Sequence, residues 1–131
     1  PNKYEHGSVF YDVAKTAINR MVFSMAHELK PHAIAMIGLA PGWMRTEAVF
    51  KELGVDEATW KNRPDMAITE SVAYIGRGVI ALLSEPELIK RTGSLIALGD
   101  LAREKGFTDV DGTQPHFYEW FRAQHKDAEG S

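Results

Sequence analysis

Tyr11 and Lys15 stand four residues apart in the most regular apolar repeat of the chain, so a helix would put the phenol and the ammonium on one face. A phenol titrates near pH ~10 and serves poorly as an acid or base at neutrality unless a nearby cation stabilises its anion. Lys15, one turn on, is such a cation, and the pair is a candidate proton-transferring unit. A second group follows at Pro41-Gly42-Trp43-Met44-Arg45-Thr46. There a turn ends an apolar run, and Thr46 with Glu47 makes a good helix start.

The elements that must position these groups follow from hydrophobic period. Phe10, Val13, Ala14, Ala17, Ile18, Met21, Val22, Met25, Ala26 and Leu29 recur in steps of three and four, which predicts a helix over residues 8–30, capped by Ser8 and stopped by Pro31. The short apolar run 33–39 suits a strand buried on both faces. Residues 43–67 are mixed and weakly helical, with Trp43, Met44, Val49, Phe50, Leu53 and Trp60 scattered among charges, and read as a mobile flap. A second long helix is expected over 69–84, capped by Thr69, with Val72, Ala73, Gly76, Val79, Ile80 and Leu83 facing inward and Gly76 and Gly78 allowing close packing. Thr92-Gly93 then turns into a strand at 94–98, and strand, helix, strand predicts a right-handed crossover. The extension 99–131 is polar until Pro115, which can start a last helix bearing Phe117, Tyr118, Trp120 and Phe121. The expected class is α/β, with about two strands and three to four helices. Two parallel strands with both edges unpaired rarely stand alone, so a missing N-terminal half, a partner chain or self-association must complete the sheet.

The composition narrows the function classes. The chain has 131 residues, 44% hydrophobic and 25% charged, with 15 basic against 18 acidic side chains and a net charge of −3, the profile of one soluble globular domain. Neither nucleic acid nor a membrane surface is an expected partner. With no cysteine, disulfides, thiolate metal sites and cysteine nucleophiles are excluded, and the cytoplasm is the expected compartment. No apolar run reaches the ~18 residues of a membrane span, and the first residues lack a signal pattern, so a targeting segment would lie upstream. No metal is expected either. In His27-Glu28-Leu29-Lys30-Pro31-His32 the proline breaks the helix that would align the histidines, and Asp109-Val110-Asp111-Gly112 reads as a turn.

Tyr11-Asp12-Val13-Ala14-Lys15 opening a long helix, then an apolar strand, then Pro41-Gly42-Trp43-Met44-Arg45-Thr46 and a Thr-Gly-strand ending, together resemble the short-chain dehydrogenase/reductase family over most of the chain. The segments Asp100-Leu101-Ala102-Arg103 and Asp109-Val110-Asp111-Gly112 are similar to those of its "dehydrogenase/reductase member one" branch. The resemblance implies the C-terminal portion of a Rossmann-type doubly wound sheet, and hydride transfer between NAD or NADP and a carbonyl or alcohol substrate. It further implies Tyr11 as acid or base, with Lys15 stabilising the phenolate and bonding the nicotinamide ribose. Pro41, Gly42 and Thr46 would lie against the cofactor, and Trp43 and Met44 would face substrate or cofactor, or pack. The family's Gly-rich phosphate loop is built by none of the 11 glycines, and its catalytic serine would fall upstream of Pro1. The expectation is therefore a fragment spanning 1–131, inactive alone, that forms homo-oligomers or pairs with its missing N-terminal half. The alternative is a non-catalytic assembly fragment derived from such an enzyme.

Overall fold

A computed structural model describes residues 8–126. Among these residues, five α-helices and a two-stranded parallel sheet make an α/β architecture, one helix beyond the expected range. The chain divides into two compact units. One runs to Gly38 and adds Pro86–Leu95, and the other comprises Leu39–Glu85 and the residues from Ile96 on.

In the first unit, α1 (Val9–Leu29) begins as its sequence predicts, with Ser8 Oγ accepting from Tyr11 N–H at 3.2 Å. It ends in a single 3-10 turn, Lys30–His32, that contains Pro31. Ala33 then adopts the left-handed conformation at φ 57°, unusual for a residue with a β-carbon. The strand expected at 33–39 is consequently reduced to β1 (Gly38–Ala40). Ahead of it, Met36 N–H is answered by the Thr92 hydroxyl at 2.9 Å and Met36 O by Gly93 N–H at 2.7 Å, so a side chain stands in for part of the ladder. Gly38 is needed for close approach, because a β-carbon there would stand 2.5 Å from Leu95 Cδ2. The apolar stripe of α1 is not a core stripe along its length. Only Val22 and Ala26 are buried, and Phe10 is 85% exposed.

In the second unit, residues 43–67 carry short elements and a small core of their own. Helix α2 (Glu47–Leu53) is capped by Thr46, whose Oγ1 accepts from Val49 N–H at 3.3 Å, and ends at Gly54 in the left-handed conformation. Two one-turn 3-10 helices, Trp60–Asn62 and Pro64–Met66, close a small core of Phe50, Trp60 and Met66, packed by Leu53 and Val55.

Helix α3 (Val72–Leu83) starts after Ser71 rather than at Thr69, and its orientation overturns the expected inner face. Tyr74, Gly78 and Leu82 are buried, whereas Val72, Val79, Ile80 and Leu83 face solvent, Leu83 at 71%. Apart from Arg77 the helix is apolar on every side, so period alone chooses poorly between its faces. Gly78 does allow close packing: a β-carbon there would stand 2.5 Å from Leu98 Cδ1. Around Gly76 nothing lies within 4 Å.

Strand β2 (Leu95–Ala97) pairs with β1 and is shorter than the expected 94–98, because Leu98 already opens α4 (Leu98–Lys105), a helix missing from the expected extension. Its Leu98, Leu101 and Ala102 are fully buried, with Leu98 and Ala102 joining Tyr74 in the larger core. Helix α5 (Phe117–Lys126) follows Pro115 as expected, and the Phe117 ring packs on Tyr118, Trp120 and Phe121 at 5.5–5.9 Å. No helix among the described residues is long and apolar enough to cross a membrane.

Candidate functional site

The first turns of α1 put Tyr11 and Lys15 on one face, with Lys15 Nζ 5.4 Å from the centre of the Tyr11 ring. This is cation–π range, and both side chains are exposed. Pro41, Gly42, Trp43 and Thr46 belong to the other compact unit. Pro41 O accepts from the Tyr118 hydroxyl at 3.3 Å, and Trp43 O accepts from Glu70 N–H at 2.9 Å. Thr46 spends an oxygen lone pair on the cap of α2 and keeps its hydroxyl proton to donate. Gly42 is crowded by its own chain, since a β-carbon on it would stand 2.3 Å from Phe117 Cβ and 2.6 Å from Glu70 Oε1.

Behind that turn lies a buried polar cluster that the sequence reading did not single out. Met44 and Glu70 form a parallel bridge, with Arg45 N–H bonded to Glu70 O at 2.8 Å. The Arg45 guanidinium lies 4.0 Å over the Trp60 ring, donates to Thr69 O at 2.7 Å and to Thr69 Oγ1 at 3.1 Å, and reaches Asp109 Oδ2 at 3.2 Å. Asp109 also accepts from Ser71 N–H and Val110 N–H, each at 2.7 Å, and from the Ser71 hydroxyl. This explains why Ser71 heads α3 without capping it. The Asp109–Gly112 segment is the turn its sequence suggests, with Gly112 at φ 82° and its N–H on Asp109 O at 3.1 Å.

Two groups in this cluster have shifted proton affinities. Burial pushes the Glu70 carboxyl up to about 7. The Gly42 N–H bond pulls against that, the Asp109 charge adds to it, and His116 and Arg45 oppose it. Tyr74 is fully buried and pushed up to about 12, by burial first and then by the Glu70 and Asp109 charges, and its hydroxyl has no hydrogen-bond partner. His116 packs on Gly99, its Nε2 lies 2.8 Å from Asp100 Oδ1, and its Nδ1 accepts from Glu119 N–H at 3.2 Å. The accepting Nδ1 assigns the ring proton to Nε2. Among the described residues, no group of three or more His, Cys, Asp or Glu could hold a metal ion.

The signal that could have found Glu70 is slight: one carboxylate directly before the apolar run of α3, a place where ordinary helix-start chemistry also favours an acid. Arg45 and Asp109 are 64 positions apart, and no local pattern links them.

No protein-family model matches the sequence. The chain is 36% identical over 111 residues to the protein of Mus musculus named "Dehydrogenase/reductase SDR family member 1", and 29% identical over 110 residues to that of Homo sapiens with the same name. Each match covers 80% of this chain, which spans about 35% of the length of either relative.

Proposed function

Because the chain belongs to the short-chain dehydrogenase/reductase family, we propose that it is the C-terminal portion of a Rossmann-type oxidoreductase that moves hydride between a nicotinamide cofactor, NAD or NADP, and a carbonyl or alcohol. The observation that carries this reading is the Tyr11–Lys15 pair, accessible and on one helix face with the ammonium 5.4 Å from the phenol ring. When bound, the nicotinamide supplies the hydride chemistry. Tyr11 would exchange the proton at its hydroxyl oxygen with the substrate oxygen, giving it in reduction and taking it in oxidation. Lys15 would stabilise the phenolate and hold the ribose hydroxyls.

The donor set fits in part. Tyr11 and Lys15 are open to a ligand, and Thr46 retains a donor, with Pro41 and Trp43 flanking Gly42 on the turn. Gly42 itself is taken up by the chain's own contacts, with its N–H on Glu70 and its α-carbon against Phe117. Fluorescence titration of the 131-residue chain with NADH and NADPH tests the reading. Saturable binding that Lys15→Ala weakens supports it, and absence of saturable binding sinks activity for this chain alone.

A second reading is favoured by one specific observation: α1 exposes Phe10, Val13, Ile18 and Met21, and α3 exposes Val72, Val79, Ile80 and Leu83. Apolar exposure on this scale marks surfaces that meet other chains. In this reading the chain is an assembly module, pairing with copies of itself or with the rest of a longer enzyme. It predicts a stable oligomer by sedimentation and no nicotinamide binding.

A further inference from the structure

Glu70 is held to the Pro41–Arg45 segment in three ways. Its Oε2 accepts from Gly42 N–H at 2.8 Å, its own N–H donates to Trp43 O at 2.9 Å, and its carbonyl accepts from Arg45 N–H at 2.8 Å. We propose that Glu70 is a positioning residue whose carboxylate fixes the peptide plane at Gly42, and with it the turn that the proposed function sets against the nicotinamide. The ligand side of this inference rests on that reading, whereas the Gly42 contact does not.

A turn of proline and glycine has little of its own to hold one conformation, because glycine gives up the most backbone freedom when fixed. The two backbone bonds anchor the turn at Trp43 and Arg45. The peptide between Pro41 and Gly42 lies outside both: its carbonyl accepts only a long bond from the Tyr118 hydroxyl, at 3.3 Å, and the Glu70 side chain is the acceptor that meets its N–H at 2.8 Å. Phe117 Cβ and Glu70 Oε1 close on the Gly42 α-carbon, so the residue at this point can carry no side chain.

A carboxyl that is 1% exposed is an expensive way to accept a single N–H, since an amide would accept the same bond without a charge to bury. What the carboxyl adds is a proton. A bond to an ionised acceptor is about twice as strong as one to a neutral acceptor, so the grip on Gly42 tightens when Glu70 releases its proton. The groups that act on it electrostatically are Asp109, which opposes ionisation, and His116 and Arg45, which favour it. The Tyr74 hydroxyl, nearby and without a partner, is neutral throughout this range. Burial, the largest of these influences, pushes release of the Glu70 proton up to about pH 7.

The test follows the Gly42 amide by 1H–15N NMR in the 131-residue chain, wild type and Glu70→Gln, together with NADH titrations below and above neutrality. The amide signal should move with a midpoint near pH 7 in the wild type and stay flat in Glu70→Gln, which keeps an acceptor but no titratable proton. Circular dichroism establishes that the variant folds. NADH binding should tighten several-fold from pH ~6 to pH ~8 in the wild type and be insensitive to pH in the variant. A Gly42 signal that does not titrate, or one that titrates equally in Glu70→Gln and so reports another group, overturns the proposal. A titrating amide with no NADH binding at either pH sinks the functional reading and leaves the Glu70–Gly42 contact standing. NADH binding that ignores both pH and the substitution removes Glu70 from cofactor positioning while the functional reading survives.

Discussion

Helix α1 carries the residues that look most like chemistry, yet of its 21 residues only Val22 and Ala26 are buried. The cluster around Glu70 carries no recognisable motif, yet Thr69, Glu70 and Asp109 are each 2% exposed or less, and Arg45 reaches only 9%. The pair in α1 needs nothing but helical register, which four residues of spacing supply. The cluster needs segments far apart in sequence to meet, and once buried, each of its polar groups must find a partner or carry a desolvation cost. A motif can thus be plain in the sequence while contributing little to the fold. Residues that hold the turn of a site can be invisible until the chain is folded.

The largest test of that contrast is Arg45→Met. Removing the guanidinium leaves Asp109 buried with an uncompensated charge and strips Thr69 O of its donor, so unfolding should become easier by about 3–5 kcal/mol in denaturant melts. Loss of cooperative folding would be the extreme form of the same result. If Arg45→Met melts like the wild type, the cluster is not a structural keystone and the contrast with α1 fails. Next comes Leu101→Ala. Leu101 is fully buried, and truncation there should cost about 2–5 kcal/mol, the range for deleting a core leucine.

The same contrast decides what could be read in advance. The N-cap at Ser8, the cap of α2 at Thr46, the stop around Pro31 and the start of α5 after Pro115 were legible because each is set by a residue acting on its immediate neighbours. Helix α4 was overlooked because its apolar signal is only Leu98, Leu101 and Ala102, within eight residues that open with Leu-Gly-Asp. The inner face of α3 was misread because Val72, Val79 and Ile80 are as apolar as the Tyr74, Gly78 and Leu82 side, and only the packing of Leu98 and Leu39 on Gly78 decides between them. In the candidate site, Tyr11, Lys15 and the Pro41–Thr46 segment were visible as motif residues. The Glu70 bond to Gly42 was not, because it depends on a bridge between Met44 and Glu70 that no local pattern encodes.

A smaller effect separates the regions by pH. The folded-state affinity of Glu70 for its proton is raised from 4.5 to about 7, so between those values the folded chain holds a proton that the unfolded chain has released. The contribution of this group to stability is therefore greatest below the unfolded value and is lost as pH rises through about 7. Glu70→Gln should erase that slope and, at pH ~8, be more stable than the wild type by roughly 2–3 kcal/mol. Equal pH slopes in thermal melts of the two proteins would show that Glu70 ionises in the folded chain as freely as in the unfolded one.

The smallest change in stability is expected on α1 itself. Ile18 is 48% exposed and lies on the stripe that period alone would assign to a core. Isoleucine and serine have similar helix propensities, so Ile18→Ser should shift the unfolding free energy by no more than about 0.5 kcal/mol. If the stripe is where the chain meets another chain, the same substitution should move the sedimenting species toward lower mass, an effect that Leu101→Ala lacks while it remains folded. Ile18→Ser thus separates two functions of apolar surface that look identical in sequence, holding one chain together and joining two. If instead it costs as much as Leu101→Ala and leaves the mass unchanged, the stripe belongs to the core of this chain, and the difference drawn between α1 and the Glu70 cluster collapses.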